Sequence, residues 1–331
     1  MPNLQLSMIC SDNDRTRPII DGLAKADAID WTVTVSHPSE MFWRQLHFAE
    51  FDVSEMSMSS LLMAVAHGDT RWVGIPVFTS RRFFHTGILA RKDRGIETPA
   101  DLKGKKVGVP EYQMTAALWT RAGLQQVYDV RAQDIGTWYM ERPPEMSHGG
   151  ATGFEPPEGI NLEYIPIDKN IGTMMQSGEL DATILYLPAG NLVDRSTIDL
   201  NRDPNVKRMF PDPRAEGIAY HQKTGFFPMN HGMVIKREVY DKYPWVAVNV
   251  FNAMSKAHDL VYQRTKDLVD PYFELGRLSK DQQKIFSDPY PYGVQANKEI
   301  LEAICGFSHD QGLTPRVLKL EEIFAPSTLE L

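Results

Sequence analysis

The stretch TPADLKGKKVGVPEYQMTAALW, residues 98–119, decides the fold. Thr98 before Pro99, with Asp101 three residues further on, is the signature of a capped helical turn. Gly104 stops that turn, KVGV reads as a short buried strand, and the apolar spacing after it turns helical. The same succession occupies the chain before it. LQLSMIC (4–10) alternates as a strand, and DNDRTRPII enters a helix with Asp14 or Thr16 as cap and Pro18 in its first turn. IDWTVTVSH (29–37) is rich in β-branched residues, and SEMFWRQLHFAEF (39–51) is amphipathic at helical spacing with Ser39 as N-cap. A short strand and a helix in FDVSEMSMSSLLMAVA, then the strand WVGIPVFTS, complete an α/β lobe.

After residue 88 the pattern restarts. INLEYIPI, a helix over IGTMMQSGEL and the strand DATILYL extend a second α/β lobe, while YMERPPEMSHGGATGFEPPEG (139–159) reads as loop. FFPMNHGMVI returns the chain to the first lobe, and the C-terminal third is helical, with breaks at Pro271 and Pro289. The expected organisation is a discontinuous first lobe, 1–88 with 225–331, around a second lobe, 89–224.

Composition narrows the function. The 331 residues carry a net charge of −8, which argues against a nucleic-acid surface, although a local Arg/His pocket can still oppose that sign. Cys10 and Cys305 are the only cysteines, too far apart in sequence for a Cys-based metal site or a disulfide framework. Asp12, Asp14 and Arg15 end the first apolar run, so it reads as a strand and not as an export signal. No run approaches the roughly 18 apolar residues of a membrane span. The expected location is the cytoplasm, with no membrane or nucleic-acid partner.

DLKGKKVGVP, SGELDATI and FPMNHGMVIKREVYDKYPW together resemble the type 2 periplasmic-binding-protein fold, two lobes with a ligand cleft between them. DNDRTRPIIDG, EFDVSEMSMSSLLMA, IPVFTSRRFFHTGI, VGVPEYQMTAA, FFPMNHGMVI and SHDQGLTPRVLKLEEIFAPS go further. They are similar to the 4,5-dihydroxyphthalate decarboxylase family over residues 4–327. That resemblance implies loss of one carboxylate from a dihydroxylated aromatic diacid to give protocatechuate, in a homo-oligomer. A non-catalytic binding protein for aromatic carboxylates is the alternative.

The implied reaction sets chemical demands. Direct loss of CO2 leaves an sp2 carbanion, so the cheaper route protonates the carboxylate-bearing carbon first, helped by a phenolate para to it. The site therefore needs an acid, a base and cations for the carboxylate that stays. His85 and His231 lie at the two crossings between lobes and are the candidate acid and base, with Glu111 to orient a histidine or carry a proton. Asp14 and Arg15 follow the first strand, where open α/β sheets bind ligands. Arg15 and Arg81 are the candidate carboxylate clamps, Arg81 favoured over Arg82 by strand alternation. Glu55, Ser57 and Ser59 precede one helix, and Tyr112, Gln113 and Thr115 precede another; both sets suit an anion or a phenol. His148 is a candidate lid residue, and His37 and His258 read as solvated. No HExxH or two-His-plus-carboxylate spacing occurs, so a cofactor-independent reaction without metal is expected, with assembly of a divalent-metal site from distant residues left open.

Overall fold

The computed structural model describes residues 2–188, 190–279, 281–282 and 287–331. Its strands are β1 Leu4–Cys10, β2 Ile29–Val35, β3 Val53–Ser57, β4 Trp72–Arg81, β5 Leu89–Arg91, β6 Lys106–Val109, β7 Thr137–Met140, β8 Leu162–Tyr164, β9 Ala182–Thr183, β10 Val206–Arg208 and β11 Met229–Lys236. The helices are α1 Arg17–Ile20, α2 Pro38–Phe48, α3 Met58–Ala66, α4 Thr115–Tyr128, α5 His148–Thr152, α6 Ile171–Ser177, α7 Pro213–Thr224, α8 Arg237–Lys242, α9 Trp245–Glu274, α10 Lys298–Asp310 and α11 Leu320–Ile323.

Two sheets divide these strands. The first has the order β2-β1-β3-β11-β4 and the second β10-β5-β9-β6-β7-β8. The fold is thus the α/β, two-lobed class of type 2 periplasmic-binding proteins, with helices α10 and α11 as a C-terminal extension. In the first sheet β1 runs parallel to β2 and β3, and the returning β11 lies antiparallel between β3 and β4. Pro76 is tolerated in β4 because that strand is an edge, where a missing N–H breaks no ladder.

The first core packs Val53, Val73, Ile75, Val77, Met233 and Ile235 against Val246, Val250, Ala253, Met254 and Ala257 of α9. The helical residues recur at i, i+4, i+7, i+8 and i+11, one stripe of α9, and each Val or Met buried this way contributes about 1.5–3 kcal/mol. The C-terminal extension ties the lobes together. Gly74 approaches Ile323 so closely that a Cβ would lie 2.7 Å from its carbonyl oxygen. From the second lobe, Arg121 Nε donates to Gln311 Oε1 at 2.8 Å and Trp119 Nε1 to Met229 O at 2.8 Å. Helix α4 is therefore held against both β11 and α10.

Several local expectations change. The N-cap of α2 is His37, whose ring accepts from Ser39 N, with Pro38 at N1; proline displaces Ser39 from the cap because it pre-sets the first helical φ. Pro271 lies inside α9 and does not end it. DATILYL supplies only the pair Ala182–Thr183 to the sheet. The segment 139–159 begins with the last residues of β7 and folds into α5, and His148 is buried there.

Candidate active site

A cavity of about 200 Å³ lies where elements of the two sheets meet. Lobe one contributes His37, Ser39 and Phe42 of the α2 turn, Ser57 and Ser80 at strand ends, Arg82 and Phe84 beyond β4, and Asn230 and His231 on β11. Lobe two contributes Met114, Thr115 and Ala116 at the start of α4, His148, Leu185 and Leu187.

His231 is fixed by register. It stands opposite Ser57 on β3 and Ser80 on β4, with an irregularity in the β4 ladder on either side of it. Those irregularities bend β11 at the cavity, and Gly232 lets it pass Met58, whose Sδ lies 2.6 Å from where a Cβ would stand. Asn230 Nδ2 is 2.8 Å from His231 Nε2, and His231 Nδ1 is 3.4 Å from Glu55 Oε2. An amide donor at Nε2 leaves Nδ1 as the protonated nitrogen, facing the carboxylate. Glu55 is fully buried and accepts from Ser11 Oγ at 2.8 Å.

Phe42 separates two imidazoles. Its ring meets His231 edge-on at 4.7 Å and His148 edge-on at 5.5 Å. His148 is buried, and burial holds its pKa below the ordinary 6.5 despite the nearby Glu111. It is therefore neutral near pH 7. Its Nδ1 has no hydrogen-bond partner among the described residues.

Behind His148 lies a buried ionic hub that sequence patterning does not disclose. Arg142 Nη1 donates to Glu111 Oε1 at 2.6 Å, and its Nε and Nη2 donate to Asp194 Oδ1 at 2.8 and 2.5 Å. Nη2 also reaches Ser39 Oγ at 2.7 Å, across to lobe one. Burial opposes the guanidinium charge, but the two carboxylates outweigh it and raise the Arg142 pKa. Glu111 is thus occupied here and does not line the cavity. Gln113 Nε2 donates to Glu111 and to Ser147 Oγ, and Tyr112 packs under Arg121, whose guanidinium carbon is 3.8 Å from the ring centroid. Of the second-lobe set only Thr115 reaches the cavity. Its Oγ1 accepts from Ser59 N at 2.9 Å and lies 2.8 Å from Ser57 Oγ, joining the lobes at the cavity wall.

Arg81 and Arg82 are placed the other way round from the expectation. Arg81 is turned away from this cavity and donates to Phe227 O at 3.0 Å, Pro291 O at 3.2 Å and Asn297 Oδ1; burial lowers its pKa to about 10. Arg82 is exposed, lines the cavity and has no side-chain partner among the described residues. The strand ends at Arg81, so alternation carries Arg82 to the opposite side, toward the cavity.

His85 is also turned away. Its Nε2 is 3.1 Å from Glu216 Oε1, which Tyr128 also contacts, and Tyr220 and Phe210 enclose the ring. Burial pushes the His85 pKa down, against the Glu216 carboxylate. Asp14 is exposed, and Arg15 donates to Thr79 O at 2.5 Å and covers the Tyr290 ring; neither lines the cavity. His37, read as solvated, does line it, and His258 is 3.1 Å from Asp288.

The signal that His148 is packed and not mobile lies in Gly149 and Gly150. A Cβ at the first would stand 2.6 Å from Gln113 Nε2, and at the second 2.0 Å from Pro144 O. Such glycines mark close packing. Arg142 and Phe42 carry no comparable mark.

Comparison with known proteins decides the family. The 4,5-dihydroxyphthalate decarboxylase of Comamonas testosteroni is 31% identical over 335 residues, covering 100% of this chain and 99% of that protein. The chain belongs to the 4,5-dihydroxyphthalate decarboxylase family. Members of this family are carboxy-lyases. The decarboxylase of the same name from Pseudomonas putida is 39% identical over 184 residues, 56% of this chain and 71% of that protein. Residues 57–163 match the family model described as NMT1/THI5 like. Among solved structures, the periplasmic aliphatic sulphonate binding protein SsuA from Escherichia coli superposes with a TM-score of 0.53 at 13% identity, covering 99% of both chains. The desulfurization enzyme DSZB superposes with a TM-score of 0.51 at 15% identity, covering 99% of this chain and 98% of that one. At such identities these two structures speak for the fold alone.

Proposed function

We propose that this family member decarboxylates 4,5-dihydroxyphthalate or a close analogue to protocatechuate or its counterpart, in the cavity between the lobes and without a cofactor. We take the lobes to be 1–88 with 225–331, and 89–224. The observation that carries the reading is the pair of imidazoles on either side of Phe42, beside an unpaired guanidinium, in a space of about 200 Å³. That volume suits one substituted ring. Among the described residues no group of three His, Cys, Asp or Glu is placed to hold a metal ion.

Arg82 binds the carboxylate that stays, as a charge-assisted donor. His148, neutral, takes the phenolic proton and raises electron density at the ring carbon para to that oxygen. His231 takes a second proton from water at Nε2, the Asn230 amide turning its oxygen toward it, and with Glu55 behind Nδ1 delivers that Nε2 proton to the carbon. The ring–carboxylate bond then breaks, CO2 leaves, its bonding electrons restore aromaticity, and the phenolate recovers a proton from His148. Ser57 and Thr115 bind the second phenolic oxygen.

Two buried free thiols, Cys10 and Cys305, support a reducing, cytoplasmic setting. No helix of the described residues is long and apolar enough to cross a membrane. The test is incubation of the purified protein with 4,5-dihydroxyphthalate, no cofactor added, with CO2 and protocatechuate quantified. Equimolar appearance of both supports the proposal; binding with no CO2 release would instead make this chain a binding protein.

A further inference from the structure

Burial divides the cavity along its depth. Ser57, Thr115, His148 and His231 are buried, while His37 and Arg82 alone among the described lining residues are exposed. These two therefore stand at the mouth, and the groups that meet the hydroxyls stand at the floor. In 4,5-dihydroxyphthalate the two hydroxyls occupy one end of the ring and the two carboxylates the other. With the hydroxyls at Ser57, Thr115 and His148, both carboxylates turn to the mouth. Arg82 takes one of them, and His37 is the exposed polar side chain left for the other.

The tautomer of His37 is fixed from two sides. Its Nδ1 caps helix α2, accepting from Ser39 N at 3.3 Å. Asn191, from the second lobe, brings its Nδ2 to 3.1 Å from the same nitrogen. That amide faces only one way. Its Oδ1 accepts from Val193 N and Asp194 N, both at 2.9 Å, and its Nδ2 also donates to Asp194 Oδ2 at 2.8 Å. Two N–H donors thus converge on Nδ1, so the one ring hydrogen sits on Nε2. The same turn docks on α2 a second time, Leu192 N donating to Glu40 Oε1 at 2.8 Å. No described residue pairs with Nε2, and the result is an uncharged N–H donor at the mouth. Such a donor suits the carboxylate that departs. A cation there would hold the negative charge that must leave as CO2 forms, whereas a single N–H bond orients the group at less cost to the barrier.

We propose that His37 is the second carboxylate-binding residue of this site, its Nε2–H orienting the carboxylate that departs. It thereby selects ortho diacids over monoacids. The proposal rests on the cavity being the site of decarboxylation, and adds to it a residue and a selectivity.

The test is calorimetric binding of two probes to wild type, His37→Asn and His37→Gln. Phthalate has both carboxylates and no hydroxyl; protocatechuate has both hydroxyls and only the carboxylate that stays with Arg82. Asparagine keeps an acceptor for Ser39 N and caps helices well, but is too short to place a donor where Nε2 stands; glutamine reaches that place. His37→Asn is expected to bind phthalate roughly tenfold or more weakly and protocatechuate within about twofold of wild type, with His37→Gln recovering most of the phthalate affinity. Retained protocatechuate binding shows that the variant site is folded. In wild type, the His37 Nε2–H resonance is expected to shift on addition of phthalate, a readout that needs no variant. Unweakened phthalate binding by His37→Asn, equal weakening of both probes with wild-type circular dichroism, or an unmoved resonance would each overturn the proposal. Failure of wild type to release CO2 would sink the decarboxylation alone, since these affinities are measured without turnover.

Discussion

His231 Nδ1 lies 3.4 Å from Glu55 Oε2, and the two residues reach each other from adjacent antiparallel strands, β11 and β3. Ser11 Oγ reaches both carboxylate oxygens, Oε1 at 3.0 Å and the His231-facing Oε2 at 2.8 Å. A carboxylate in this place orients the imidazole through Nδ1 while Nε2 meets Asn230. Glu55→Gln keeps the shape and removes the charge. It is expected to lower kcat by about 10- to 100-fold with KM nearly unchanged, and to shift the pH profile of kcat. An unaltered profile would remove Glu55 from the proton path.

Arg82 and Arg81 provide a paired contrast. Arg82→Ala is expected to raise KM by roughly 10- to 100-fold, the loss of one charge-assisted contact worth about 1.5–3 kcal/mol, and to leave thermal stability alone. Arg81→Ala abandons the acceptors on Phe227, Pro291 and Asn297 and is expected to lower the melting temperature. Steady-state kinetics and thermal melts of the two variants check this; a reversed pattern would restore Arg81 as the substrate clamp.

Arg142 neutralises Glu111 and Asp194 inside a closed protein interior. Arg142→Leu leaves both carboxylates buried without a cation. It is expected to cost about 3–5 kcal/mol by denaturant unfolding, since removing one partner of a buried pair strands the others. Near-wild-type stability of that variant would mean that water reaches the hub.

The buried histidines set an acid limit. His148 and His85 both have pKa values held down in the native state by burial. The unfolded chain therefore takes up protons first as pH falls, and stability rises with pH over that window. Their contribution is complete above the ordinary value of 6.5 and is lost as pH drops below it. Melting temperatures between about pH 7.5 and 5 are expected to fall with acidification. The fall should be shallower in His85→Gln, and that variant should keep kcat within a few-fold of wild type. A hundred-fold loss of turnover with intact stability would instead return His85 to the catalytic set.

The strand–helix alternation and the two-lobed α/β class were readable because they rest on local periodicity and capping. The placement of His231, Ser57 and Thr115 on the cavity wall follows the same logic, since strand ends and helix starts point toward a cleft. What sequence could not give was direction at single residues. His85 and His231 both sit at crossings, but only the ladder irregularities beside His231 turn a ring into the cavity, while Glu216 draws His85 away. Arg142 was invisible for another reason. Its partners Glu111, Asp194 and Ser39 come from three distant segments, and no spacing rule joins them.

The most direct test of the central claim compares wild type with His231→Asn at saturating 4,5-dihydroxyphthalate, CO2 release being measured beside calorimetric binding. The account predicts that the variant still binds the substrate but releases CO2 about 10²- to 10⁴-fold more slowly, the range expected for removal of a general acid. Release of CO2 at the wild-type rate by a variant that binds normally would contradict it.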